Sequence, residues 1–281
     1  MRAHCPLMSL MSTRRALLAI SAVVALVTAA PTALAYRPFD GTDADVAGLG
    51  DFELELGPVH WYSQGDSHYL LAPATVLNLG FLPRWELVID FQNSVGIDPP
   101  PGEARDRLLD TDILTKTILL EGSLQGKGSG PSIAAEFGPL LPEVNGDESF
   151  GASLDVITSQ RWSWMTIHLN SWLELSRGEL KPDWFEGAII EGDIDADVRP
   201  VSEWYVSYDF GAQQTTVSGL VGGIWKASES LDLDVGLREA SVGGERATEV
   251  RLGITWTLGV WTPAQETGHH SRGQRWLALA R

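Results

Sequence analysis

Cysteine is nearly missing from this 281-residue chain, the one example being Cys5. It lies ahead of the apolar stretch that follows Arg15, so it is not the lipid-modified cysteine of a cleavage site. A chain processed after that stretch has no thiol, which excludes a disulfide scaffold and a cysteine-ligated metal site. Long apolar runs are missing as well. No stretch of 18 apolar residues follows Tyr36, so bilayer-spanning helices are excluded there. Basic residues are scarce: 20 Lys and Arg stand against 37 Asp and Glu, a formal net charge of −17. Arg2, Arg14 and Arg15 fall before Tyr36, where no acid occurs, so the remainder is still more acidic. Such a chain lacks the cations that phosphate binding needs, which argues against nucleic acid as a partner. It is equally unsuited to docking on anionic lipid.

What is present begins with a leader. Residues 11–35 read MSTRRALLAISAVVALVTAAPTALA. Arg14 and Arg15 supply a positive start, Ala16 to Ala30 an apolar core, and Pro31 its end. Ala33-Leu34-Ala35 is a small-x-small cleavage site. The apolar run is shorter than the ~20 residues of a membrane anchor. Residues 1–35 are therefore read as a signal peptide, with either Met1 or Met11 as the start and Tyr36 as the first mature residue.

The rest shows period-two alternation, the mark of strands with two unlike faces. Phe52, Leu54 and Leu56 alternate with Glu53 and Glu55. Trp85, Leu87, Ile89 and Phe91 alternate with Glu86 and Asp90. Val250, Leu252, Ile254, Trp256 and Leu258 alternate with Glu249, Arg251, Gly253, Thr255 and Thr257. Similar segments recur near 68–80, 109–120, 131–140, 150–160, 165–174, 185–194, 198–209, 215–226 and 231–238. About twelve strands result, most near the 9–11 residues that cross a bilayer at a tilt, and single-chain bacterial barrels have even strand numbers. Short turns at 82–84, 160–163 and 226–230 alternate with longer links at 94–107, 141–149, 176–184 and 239–247. With both ends periplasmic, the short turns fall on the periplasmic side; the link at 121–130 is the exception. Trp61, Tyr62, Trp85, Trp162, Trp164, Trp184, Trp225 and Trp261 gather at strand ends, as interfacial aromatics do. The expected fold is all-β: a single antiparallel up-and-down transmembrane β-barrel over 50–261. A periplasmic N-terminal segment (36–49) precedes it and a polar tail (262–281) follows. A soluble exported sandwich would also alternate, but the even count, the loop pattern and the aromatics favour the barrel.

Several stretches also resemble small proteobacterial outer-membrane barrels assigned as transporters and related to the phenol-degradation meta-pathway barrel family. They are RPFDGTDADV (37–46), GDFELELG (50–57), APATVLNLG (72–80), RWELVID (84–90), TDILTK (111–116) and GPSIAAEFGPLLPEVNGDESFGASL (130–154). The resemblance covers most of 37–258 and implies an outer-membrane location and transport. Its motifs are structural, not catalytic. Such barrels end on an aromatic that assembly machinery recognises. Trp261 fits that place, but residues 262–281 follow it.

Alternation assigns Glu53, Glu55, Glu86, Asp90, Asp112, Glu174, Glu203, Asp232, Asp234 and Glu249 to the lumen, with Lys116, Arg199, Arg238, Arg251 and His168. Acids in that excess need water or partners, so the expected function is a channel or transporter for small solutes with an acidic lumen. A non-conducting structural or binding barrel is the alternative. No enzyme is expected, since no strand places a Ser two residues from a His on one face. His269-His270 offers too few ligands for a metal. Asp43 and Asp45 lack the Gly and distal Glu of a calcium loop and are read as a turn. No cofactor is expected; the expected partners are outer-membrane lipid, the barrel-assembly machinery and an unidentified small solute. Mass spectrometry of the membrane-bound protein should find Tyr36 at its N-terminus; an intact Met1 or Met11 terminus would overturn the leader.

Overall fold

The computed structural model describes residues 37–261. The leader through Tyr36 and the tail 262–281 lie outside the described residues. Twelve strands run in chain order: β1 Asp51–Gln64, β2 Ser67–Leu82, β3 Trp85–Gly96, β4 Asp106–Leu120, β5 Ser132–Leu140, β6 Gly151–Arg161, β7 Thr166–Leu175, β8 Pro182–Glu191, β9 Val198–Asp209, β10 Gln214–Ser228, β11 Leu231–Val242 and β12 Glu245–Gly259. Each pairs antiparallel with its neighbours, and β1 pairs with β12 from Asp51↔Gly259 to Gln64↔Ala247, so the sheet is a closed barrel. Closure leaves no edge strand, which is the condition for a sheet to sit in lipid. Strand β8 begins earlier than the expected 185–194.

Alternation decides which face each side chain takes. On β12, Ala247, Glu249, Arg251, Thr255 and Thr257 are buried, while Val250 and Leu252 are 37% and 42% exposed. The outer face repeats this with Leu154, Val156, Leu169, Leu173, Val217, Val221, Val235 and Leu237, a belt of the kind that faces hydrocarbon. Strand β1 breaks phase once, between Leu56 and Val59. A bulge of this type moves the following side chains to the other face. Glu53 and Glu55 point inward before it, and His60 and Tyr62 after it. Tyr62 is thus a lumen residue and not the interfacial aromatic expected. Uniform alternation could not reveal this, because the bulge is a backbone event.

One connection differs from expectation. The link expected at 239–247 is strand on both sides of a two-residue turn, Gly243-Gly244, with φ of 59° and 92°, as tight hairpins require. The first hairpin turns equally tightly at 65–66. The long link between β4 and β5, anomalous on its expected side, is folded against the barrel mouth: Leu124 is buried, its N–H meets Ser132 Oγ at 3.1 Å, and Ser123 Oγ accepts the Arg161 N–H at 2.9 Å.

Arginine at Leu252 should lower barrel stability by about 2–4 kcal/mol if that residue lies near the bilayer midplane, read from denaturant unfolding in lipid vesicles. Thr255, on the opposite face, has no exposed surface, so arginine is not tolerated there either. Thr255→Ser should be nearly silent.

Candidate functional site

Residues 37–49, expected to lie outside the barrel on the periplasmic side, run instead through its interior. An extended segment carries backbone amides that need acceptors once water is removed, and the inner wall supplies them. Glu203 on β9 accepts the N–H groups of Asp40 (3.0 and 3.1 Å) and Gly41 (2.8 Å). Asn170 on β7 accepts the Thr42 N–H and donates to the Thr42 carbonyl, both at 2.8 Å. Ser159 on β6 accepts the Ala44 N–H at 2.9 Å, and Glu86 on β3 that of Ala47 at 2.6 Å. From the other side, Arg251 on β12 donates to the Pro38 carbonyl at 2.7 Å and to Asp40 at 2.9 Å. Arg238 on β11 also pairs with Asp40. Lys116 on β4 donates to the Thr42 hydroxyl at 3.0 Å and sits 3.5 Å from Asp43 and 3.6 Å from Glu86.

Two small apolar contacts complete the seat. Phe39 packs on Val201 and Ile224, and Ala44 on Ala134 and Ile157. The link between β4 and β5 closes over it, with Gln125 Nε2 donating to the Ala44 carbonyl at 2.9 Å and to Asp45 at 3.2 Å. Burial, reinforced by the neighbouring Asp43, pushes the Asp45 carboxyl above its ordinary value. Asp43 and Asp45, read above as a turn, are parts of this seat.

The predicted lumen residues fall into two groups. Glu55, Glu86, Asp90, Asp112, Lys116, Glu174, Arg238, Glu249 and Arg251 line a cavity of about 560 Å³ between the segment and the mouth remote from the chain ends. Glu53, His168, Arg199, Glu203, Asp232 and Asp234 also face inward but do not line it. Glu53 accepts the Thr257 hydroxyl at 2.8 Å. Arg199 pairs with Glu191 at 2.8 Å and Asp232 at 3.6 Å. Within the cavity wall, Glu249 gathers His60 (2.8 Å), Arg238 (2.9 Å) and Arg251 (2.6 Å).

Other interior residues were not read from the sequence. Glu136 and Asp155 continue the alternation of β5 and β6 and line the cavity, so period two could have found them. Trp172 could have been found in the same way, two residues after Asn170. Arg177 could not: it reaches in from a loop to pair with Asp112. Nor could the Ser–His arrangement that forms across strands. Ser159 Oγ lies 2.8 Å from His168 Nδ1, and His168 Nε2 lies 3.0 Å from Glu191. The order resembles a nucleophile–base–acid relay. Here, however, Ser159 is fully buried under Ala44 and Glu191 is held by Arg199, so the three serve to seat the segment.

Of the outer aromatics, Trp85, Trp162, Trp164, Trp225 and Trp261 are exposed around the mouth that holds the chain ends, and Trp184 is exposed near the other. Trp61, also near that other mouth, is half-buried against His68, ring centroids 6.1 Å apart.

No protein-family model matches the chain, and no curated protein is similar to it in sequence. Solved structures are similar in shape. An outer-membrane channel from Pseudomonas putida F1 superposes with a TM-score of 0.56 at 10% identity, covering 78% of this chain and 99% of that one. The NanC porin superposes with a TM-score of 0.52 at 6% identity, covering 73% and 98%. The fold is therefore that of outer-membrane channel and porin barrels.

Glu203 anchors the segment through two backbone N–H groups, that of Asp40 shared between its two oxygens and that of Gly41, and hydrogen bonds to charged groups contribute about 1.5–3 kcal/mol each. In a chain whose Cys5 is replaced by serine, a cysteine at Ala44 should react with a soluble maleimide at least about tenfold faster when Glu203 is also changed to alanine. Equal rates in both backgrounds would show that Glu203 does not hold the segment.

Proposed function

We propose that this protein is an outer-membrane channel or transporter for small solutes, with an acidic lumen and both chain ends on the periplasmic side. One observation carries the reading. A closed barrel with an apolar exterior encloses a cavity lined by Glu55, Glu86, Asp90, Asp110, Asp112, Glu136, Asp155, Glu174 and Glu249 against fewer cations. A soluble protein does not keep so continuous an apolar belt in water. The exposed tryptophans at the two mouths suit the two membrane interfaces, with outer-membrane lipid and the barrel-assembly machinery as partners. The resemblance to phenol-degradation meta-pathway barrels supports the transport reading through its own stretches. RPFDGTDADV is the segment inside the lumen, and GDFELELG carries the inward Glu53 and Glu55.

The same lumen segment favours a second reading, a binding barrel that does not conduct, because residues 37–49 take up part of the path. Planar bilayers separate the two. The full mature chain should conduct and prefer cations in a salt gradient. The preference should fall between 0.1 M and 1 M salt, as the screening length drops from ~10 Å to ~3 Å. Deleting residues 37–46 should raise the unit conductance. Silence in both forms would establish the binding barrel. Anion preference would show that the carboxylates are neutralised in closed networks. The informative substitutions are Asp90→Asn and Glu174→Gln, because Asp232 and Asp234 do not line the cavity.

A further inference from the structure

The cavity wall has two chemically different sides. Across β7, β8 and β9, Trp172, Phe185 and Tyr205 form a ladder of rings. Trp172 and Phe185 are stacked, centroids 3.7 Å apart and 14° between planes, and Phe185 lies 4.7 Å from Tyr205. Strand register builds the ladder: Trp172 pairs with Phe185, and Tyr205 pairs with Gly187. A Cβ at Gly187 would stand 2.6 Å from the Phe185 ring, so the glycine leaves the space in which that ring lies.

Beside the ladder the wall is acidic. At the level of Trp172 the cross-strand row continues to Asp155 on β6, Glu136 on β5 and Lys116 on β4. Glu174 follows Trp172 two residues on, on the same face of β7. Lys116 is taken by Asp43 and Glu86, and Arg177 by Asp112 and Glu143. Among the described residues, Glu136, Asp155 and Glu174 form no ion pair. The ladder already holds one cation: the Arg238 guanidinium carbon lies 5.0 Å from the Tyr205 centroid, within the range at which a ring face attracts positive charge. Trp172, at the opposite end, is half-buried and faces the cavity beside the carboxylates.

We propose that this cavity is a binding site for a small organic cation with a flat or apolar body. Asp155 and Glu174 take the charge, and Trp172 takes the body. The proposal deepens the channel reading and rests on it for passage of the solute, although binding to the wall needs no conduction. The volume of about 560 Å³ falls among pockets that enclose whole small molecules. An anion would meet carboxylates that outnumber the cations of the wall. A neutral solute would gain the ladder but, of the acids, only a hydrogen bond to a hydroxyl or amide it carries, without the charge attraction.

Isothermal titration calorimetry on the detergent-solubilised full-length mature protein tests this. Benzyltrimethylammonium is the probe; benzoate, benzyl alcohol and tetramethylammonium are the controls. Benzyltrimethylammonium should bind saturably and the other three much more weakly. Trp172→Leu should weaken it about tenfold, the size of a partly desolvated cation–ring contact, and Trp172→Tyr should restore most of the loss. Asp155→Asn with Glu174→Gln should weaken it by at least as much. Each variant is first shown to keep the heat-dependent gel migration of a closed barrel; if Trp172→Leu does not, the isosteric carboxamide variant decides. Benzoate or benzyl alcohol binding as tightly as the cation would overturn the proposal, as would unchanged affinity in the folded variants. Cation binding by a barrel silent in bilayers would keep the site and overturn the channel. Conduction without cation binding would do the reverse.

Discussion

The structure depends on one electrostatic constraint: carboxylates turned inward by a closed sheet must find positive partners or donors. Twelve strands supply more acids than bases to the interior, and removing an ionised carboxylate from water without a partner is prohibitive. The chain meets the shortfall partly with its own backbone. Glu203, Glu86, Asn170 and Ser159 bind the amides of residues 37–49. Arg238 and Arg251 hold both Glu249 on the wall and Asp40 on the segment. Wall and segment are therefore one network, and neither is satisfied alone.

Most of the barrel was legible in the sequence because its two faces meet different solvents and period-two alternation records that difference. The strand number, the inward position of Glu53 through Arg251 and the outward position of Leu252 all follow from it. What was not legible depends on events that alternation does not encode. The bulge in β1 reverses Tyr62. The Gly243-Gly244 turn replaces the longer link expected at 239–247. The acceptors that draw residues 37–49 inward come from β3, β6, β7 and β9, strands far apart in sequence. The Gly-rich stretch 121–130, puzzling as a simple turn, makes sense once there is a segment for it to cover.

Sequence comparison and shape comparison give different depths of information here. Backbone geometry is shared with outer-membrane channels at identities of 6–10%, because a closed, alternating sheet tolerates almost any residue of the right polarity. The interior is less tolerant. The ladder of Trp172, Phe185 and Tyr205 needs a glycine at 187, and the cage around Asp40 needs guanidinium groups at both 238 and 251. Those requirements bear on particular residues of this lumen, whereas the strands require only alternation.

The seam between β1 and β12 has a consequence for the order in which the molecule is made. It joins Asp51 to Gly259, the strand pairing most distant in sequence among the described residues, and contacts so remote in sequence form late because their loop entropy must be met first. The segment just ahead of β1 leaves the ribosome before any of the twelve strands, yet Arg251, one of its anchors, lies on β12. It must be on the concave side of the growing sheet when the seam shuts, or thread in through a mouth afterwards. In the first case the polar groups that would otherwise oppose curling are already partnered, and the N-terminal residues serve as a former around which the wall is rolled.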